Sequence, residues 1–182
     1  MARKKRQPVR YLMFKPEFCG AVGTFYSNWA ALELTIDLAI GKLLAVPHEV
    51  THLLTAGLDF HRKARILRAL IRRSNHPQKA KLLTALNKIQ NESKRNVFAH
   101  SYLGGTDVEV TYLERSRNGE LSATEHTFTA QEFVVHVARF VDAGRQFASL
   151  IGRSDKEIRE FLAAIKVFKR AGTSPQPPKD SA

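Results

Sequence analysis

Apolar residues at Phe18, Val22, Phe25, Trp29, Leu32, Ile36, Ala39 and Leu43 recur at spacings of four and three. This run constrains the fold more than any other feature, because a strand alternates with period two and cannot hold such a pattern on one face. The spacing predicts one long helix over about 17–46, with Ile40 widening its apolar stripe. A seam of that length must be covered, either by other helices of the chain or by a second copy. Pro47 ends it. A short helical piece follows over 48–56, up to Gly57. Residues 59–73 form an amphipathic helix with Ile66, Leu67, Leu70 and Ile71 inward and Arg62, Arg65, Arg68 and Arg72 outward. Ser74 to Pro77 is a loop whose proline suits a first helical turn. The next helix, 77 to about 100, packs through Leu82, Leu83, Leu86, Ile89 and Val97.

The period then changes. Val108, Val110 and Tyr112 alternate with polar neighbours, Asn118-Gly119 is a strong turn signal, and Leu121 to Phe128 alternates again. A β-hairpin over about 107–128 is therefore expected, appended to a helical body. Thr129-Ala-Gln-Glu132 reads as a capping box opening a helix to about 151, and Ser154-Asp-Lys-Glu157 as another opening 155–170. The expected organisation is a basic flexible arm at 1–16, one helical domain at 17–170, and a disordered tail at 171–182. The fold class expected is mainly α, an antiparallel helical bundle with an appended β-hairpin.

Charge sharpens the picture. The 182 residues carry 29 Lys and Arg against 17 Asp and Glu, a net of +12. Residues 1–16 hold six basic residues and no acid, and residues 48–102 hold eleven basic residues and three acids. Residues 103–165 reverse the balance, with seven basic residues against ten acids. A polyanion such as RNA is the expected partner, with Arg62, Arg65, Arg68, Arg72 and Lys94 as candidate phosphate contacts. The competing reading is a set of solvated helix faces. One cysteine, Cys19, excludes an internal disulfide and is expected to pack as a small hydrophobe. No apolar run is long enough for a membrane span or a secretory signal, so no membrane partner and a cytoplasmic location are expected.

Two motifs can carry chemistry. His48-Glu49-Val50-Thr51-His52 has the spacing that puts two imidazoles on one helix face for zinc, with the glutamate as general base. Pro47 places the motif at a helix start, and Thr55 and Leu58 occupy positions where an extended zinc-peptidase signature needs glycine and histidine. Glu92 and His61 are the candidate third ligands. A zinc peptidase is the distant alternative, and the primary expectation is no metal and no cofactor.

The other motif is Arg95-Asn96-Val97-Phe98-Ala99-His100-Ser101-Tyr102. Asn96 and His100 stand four apart and share a helix face. An arginine fork that holds a phosphate, beside a histidine that moves protons, suffices to transesterify RNA without a metal. Arg95-Asn96-x-x-x-His100 resembles the signature of the HEPN superfamily, in which arginine, a polar residue and histidine follow at this spacing. The long leading helix and the further antiparallel helices fit the same pattern. The resemblance implies a homodimer in which two motifs form one composite ribonuclease site, with Arg95, Asn96 and His100 catalytic. His100-Ser101-Tyr102 also matches the His-x-Tyr extension of HEPN toxins paired with a nucleotidyltransferase antitoxin. There the tyrosine can be adenylylated, which makes Tyr102 a candidate modification site at the site's edge.

Glu33 and Asp37 share a face of the first helix and can support Arg95 or His100, although a solvated acidic pair is the simpler expectation. Trp29 is expected in the core, and Gly104-Gly105 as a turn. The function expected is a metal-independent endoribonuclease, a toxin or antiviral effector with an antitoxin or regulatory partner. The alternative is a non-catalytic HEPN-like RNA-binding or dimerisation module.

Overall fold

Leading the chain is α1 (Pro16–Leu44), a single helix along the apolar seam. Phe25, Trp29, Leu32, Ile36 and Ala39 are all buried within one chain, so no second copy is needed to cover them. Leu38 and Ile40 are buried as well, widening the inward face beyond the seam. The structure, a computed structural model, describes residues 16–93, 102–105, 109–115 and 123–171. Among these the protein is mainly helical. After α1 come α2 (His48–Thr55), α3 (Phe60–Arg73) and α4 (Lys79–Ser93), then strands β1 (Tyr102–Gly105), β2 (Glu109–Arg115) and β3 (Ala123–Thr129), then α5 (Ala130–Leu150) and α6 (Asp155–Ala171). No described helix is long and apolar enough to cross a membrane. Of the expected arm at 1–16 and tail at 171–182, residues 1–15 and 172–182 lie outside the described residues, while Pro16 opens α1 and Ala171 ends α6.

The chain divides into two compact units, one of residues 27–89 and 142–182, the other of 1–26 and 90–141. In the first, Phe60, Ala64, Leu67 and Ile71 of α3 are buried, as are Leu82, Leu86 and Ile89 of α4 and Phe147 of α5. Trp29 packs its ring 4.6 Å from that of Phe60, which confirms it as core. Ile66 departs from expectation and is 39% exposed. The buried line of α3 runs through Phe60, Ala64 and Leu67, and Ile66 sits roughly 100° around the helix from Leu67.

Helix ends in this unit are closed by backbone geometry. At the end of α1, Ala45 N–H donates to the Lys42 carbonyl and Val46 N–H to the Gly41 carbonyl, each at 3.1 Å, with Ala45 at φ 53°. At the end of α5, Gly152 (φ 65°) donates to Ser149 at 3.0 Å, and Arg153 to Ala148 at 2.9 Å. Both are Schellman motifs, one closed by glycine and one by alanine. The Lys42 ammonium ties the α5–α6 loop down, donating to the Gly152 carbonyl at 2.8 Å and pairing with Glu157 at 2.7 Å. Gly41 lets α2 approach α1, since a Cβ there would meet the Thr51 Cγ2 at 2.9 Å.

The other unit holds a three-stranded antiparallel sheet in the order β1-β2-β3. Tyr102 is in register with Leu113 and Gly105 with Val110, while Glu109 pairs with Thr129 and Arg115 with Ala123. The expected hairpin is thus present as β2 and β3, and a further strand, β1, extends it. Gly104 and Gly105 lie in that strand and are not a turn. Asn118-Gly119 lies outside the described residues. Thr129 closes the sheet and opens α5: its N–H and hydroxyl both donate to Glu132 Oε2, at 2.8 and 3.0 Å, and the Glu132 N–H donates back at 3.1 Å. Ser154 and Glu157 repeat the reciprocal box at the start of α6. Both boxes form where the sequence places them.

Candidate functional site

The residues expected to do chemistry fall on both sides of the described boundary. Lys94, Arg95, Asn96 and His100 lie outside the described residues, between α4 and β1. Tyr102 is the first residue of β1, so the backbone is extended strand there. The described residues that flank the motif, Ser93 and Tyr102, both fall in the second compact unit.

Asp37 is not a solvated acid. Lys63 Nζ donates to its Oδ2 at 2.8 Å and lies the same distance from Oδ1, which it approaches without hydrogen-bond geometry. The two side chains are 13% and 9% exposed, so this is a nearly buried ion pair joining α1 to α3. Burial pushes the Asp37 carboxyl above the usual carboxylate range, Lys63 and the Thr55 hydroxyl pull it back, and the Glu33 charge adds to the rise. Lys63 sits among arginines in the sequence, yet it falls on the Phe60–Ala64–Leu67 line and points inward. Asp37 is accordingly committed to Lys63, and Glu33 is half-buried beside it.

The arginines of α3 behave largely as expected. Arg62, Arg65 and Arg72 are exposed, and Arg73 joins them. Arg68 is half-buried and donates to Asn87 Oδ1 at 2.6 Å. Arg62 lies 3.6 Å from Asp59, whose carboxylate caps the helix by accepting from the Arg62 N–H at 2.8 Å. That backbone bond holds the Asp59 carboxyl below its ordinary range. From Arg62 to Arg73 the stripe runs roughly 16 Å along the helix, a linear row of cations suited to a phosphodiester chain.

His48 and His52 stand on one face of α2, as the spacing requires, but that face is set against α6. Their rings meet the Phe161 ring edge-on at 5.7 and 6.3 Å, and His48 Nε2 is 4.0 Å from Glu160. Glu49 is exposed, and His61 lies against Phe60. Among the described residues no group of three His, Cys, Asp or Glu side chains comes together that could hold a metal ion. The H-E-x-x-H pattern here serves helix packing. Cys19 is exposed where packing was expected. It lies roughly 120° around α1 from Phe25 and so off the buried line.

One pairing went unnoticed in the sequence. Glu92, near the end of α4, has Oε2 3.9 Å from Nδ1 of His136 on α5, in the unit that holds the sheet. His136 is 11% exposed and its ring stands 6.2 Å from that of Phe128 on β3. The available signal was weak: His136 follows Phe133 by three and precedes Phe140 by four, which places it on the inward face of α5.

No protein-family model, no curated protein and no solved structure matches the chain.

Proposed function

We propose that the protein is a metal-independent endoribonuclease of HEPN type, with Arg95, Asn96 and His100 as its catalytic residues. The observation that carries the reading is the Arg95-Asn96-x-x-x-His100-x-Tyr102 sequence directly after a bundle helix of a mainly helical chain. His100 takes the proton of a ribose 2′-hydroxyl, whose oxygen attacks the adjacent phosphorus. The bond to the 5′-oxygen breaks and the proton held on His100 passes to that oxygen, leaving a 2′,3′-cyclic phosphate and a 5′-hydroxyl end. Arg95 balances the charge that builds on the phosphoryl oxygens, and Asn96 orients the pair. A composite site made by two copies, and toxin or antiviral action restrained by an antitoxin or regulator, belong to the same proposal. Val50, Leu53 and Leu54, exposed on α2, offer apolar surface to a second copy. The exposed α3 arginines supply sequence-independent affinity for RNA. Adenylylation of Tyr102, two residues from His100, would add bulk and negative charge near the reacting phosphate.

The test is cleavage of a defined RNA by the purified chain in excess chelator. Arg95→Ala and His100→Ala should each abolish cleavage with the helical circular dichroism unchanged. The double variant should be little worse than either single, because the two act as a unit. The DNA of the same sequence should survive, since it lacks the nucleophile. Folded single variants that cut like the wild type overturn the catalytic assignment. RNA binding with no cleavage by the wild type favours the non-catalytic module.

A further inference from the structure

An open pocket of about 480 Å³ lies in the unit that holds the sheet, built by three elements. Glu92 comes from α4, Thr127 and Phe128 from β3, and Gln131, His136 and Arg139 from α5. On α5, Arg139 stands between the other two, roughly 80° around the helix from Gln131 and roughly 60° from His136. We propose that this pocket is a nucleotide subsite for single-stranded RNA, taking one amino-bearing base and its phosphate. The inference rests on the ribonuclease reading for its biological role, and on the pocket alone for its chemistry.

The lining divides into parts that match a nucleotide. Phe128 and His136 present rings tilted 36° to each other, an aromatic wall on which a base can stack. Arg139 is exposed and forms no ion pair among the described residues, which leaves its planar fork available for a phosphate. Glu92 meets His136 at 3.9 Å, an ion-pair distance and not a hydrogen bond, so its carboxylate keeps lone pairs for N–H donors. A carboxylate accepts from the exocyclic amino groups of adenine, cytosine and guanine, whereas uracil has none to offer. Gln131 is exposed at the same rim and adds a donor and an acceptor for the base edge. The other acid of the pocket, Glu132, has its Oε2 engaged by Thr129 in the capping box.

Size and position favour the same ligand. The volume lies within the range of small-molecule sites, roughly 300–1,000 Å³. Arg95 follows Glu92 by three residues, so their Cα atoms stand no more than about 11 Å apart in any conformation. A base held against Glu92 would therefore be bound three residues along the chain from Arg95. The pocket then selects which phosphodiester is cut, which is a task distinct from cutting it.

The experiment titrates the full chain with the four nucleoside 3′-monophosphates and with inorganic phosphate, by calorimetry. None of these can be cleaved, so binding is read independently of catalysis. AMP, CMP and GMP should bind more tightly than UMP and phosphate. Arg139→Gln, a substitution at an exposed site, should weaken all four nucleotides by a similar factor, roughly tenfold or more. Glu92→Leu, which removes the acceptor, should erase the preference over UMP, and Gln131→Ala at the exposed rim should narrow it without touching the Glu92–His136 pair. Phosphate binding as tightly as the nucleotides, or nucleotide affinities indifferent to Arg139→Gln, overturns the proposal. The two readings fail separately. Cleavage that depends on Arg95 and His100 without nucleotide binding removes the pocket and leaves the enzyme. Nucleotide binding with this variant pattern but no cleavage removes the enzyme and leaves the pocket.

Discussion

Replacing Lys63 by methionine leaves the Asp37 carboxylate nearly buried without its counter-charge. The pair is 9% and 13% exposed with both carboxylate oxygens 2.8 Å from the ammonium, so water replaces little of what is lost. Removing one partner of such a pair costs about 3–5 kcal/mol. With a urea dependence of about 2 kcal/mol per molar, the unfolding midpoint should fall by roughly 1.5–2.5 M at pH 7. The acid has an escape, which fixes the pH dependence. Its folded pKa is already raised above 3.8 by burial, so the folded state holds this proton to higher pH than the unfolded state. For that sign the protonated form's stabilisation is complete below the unfolded pKa and is lost as pH rises through the folded one. Without Lys63 the folded pKa climbs further, and the deficit of Lys63→Met should therefore shrink as pH is lowered toward 4. Adding Asp37→Val removes the orphaned charge, and the double variant should return close to wild type or exceed it. Urea unfolding followed by helical circular dichroism, at pH 7 and pH 4, reads every arm. A Lys63→Met midpoint unchanged at pH 7, or a double variant no better than the single, refutes the reasoning and returns Asp37 to the role of a free acid.

The two Schellman motifs give a matched pair of opposite sign. Ala45 holds φ 53° where Gly152 holds 65°, so Ala45→Gly should stabilise by about 0.5–1 kcal/mol and Gly152→Ala should destabilise by about 1 kcal/mol or more, read by urea midpoints. Equal effects of one sign would show that contacts, not backbone conformation, decide both ends. The capping boxes should be visible as acid sensitivity. Glu132 is held below its ordinary pKa by the Thr129 backbone and hydroxyl. For Glu157, burial opposes the shift, but Lys42 and Ser154 outweigh it and the carboxyl is lowered too. A lowered folded pKa contributes stability that is present above about 4.5 and lost as pH falls through the folded value. Ser154→Ala should cost about 1 kcal/mol at pH 7 and less at pH 3, and a cost independent of pH would assign it to something other than the box.

Periodicity made most of this fold legible. The α1 seam, the outward arginines of α3 and both capping boxes are short-range patterns, fixed by residues within one or two turns of each other. Errors appear where the pattern is broad or where a partner is distant. Ile66 belongs to an apolar arc wider than the neighbouring elements cover, and hydrophobicity alone does not say which edge is left out. Cys19 is small enough to suit either side of its helix. Tyr102 to Gly105 has two glycines and little strand propensity, and it is a strand because β2 offers an edge to pair with.

Polar partnerships were the least legible part, for one physical reason. A charge reads as surface unless its counter-charge is known, and the counter-charge here stands 26 residues away for Lys63 and 44 for His136. Lys63 shows what the pattern could have offered: among Arg62, Lys63 and Arg65, only the lysine falls on the line of Phe60 and Leu67. A lysine on a buried line must find an acid, and Asp37, flanked by the buried Ile36 and Leu38, is an acid with the same need. The same logic applies to His136, which follows Phe133 and precedes Phe140 on the inward face of α5 and meets Glu92. The R-N-x-x-x-H motif was legible in a different way, as residue types at a spacing with no period behind them. Its residues follow directly on Glu92, so the pairing that composition hid and the motif that composition displayed occupy one stretch of chain. That adjacency makes substitution at Glu92 the informative experiment: under the proposed ribonuclease reading, a base-binding role for this carboxylate alters which RNA bond is cut, whereas a purely structural role alters only how much folded protein there is.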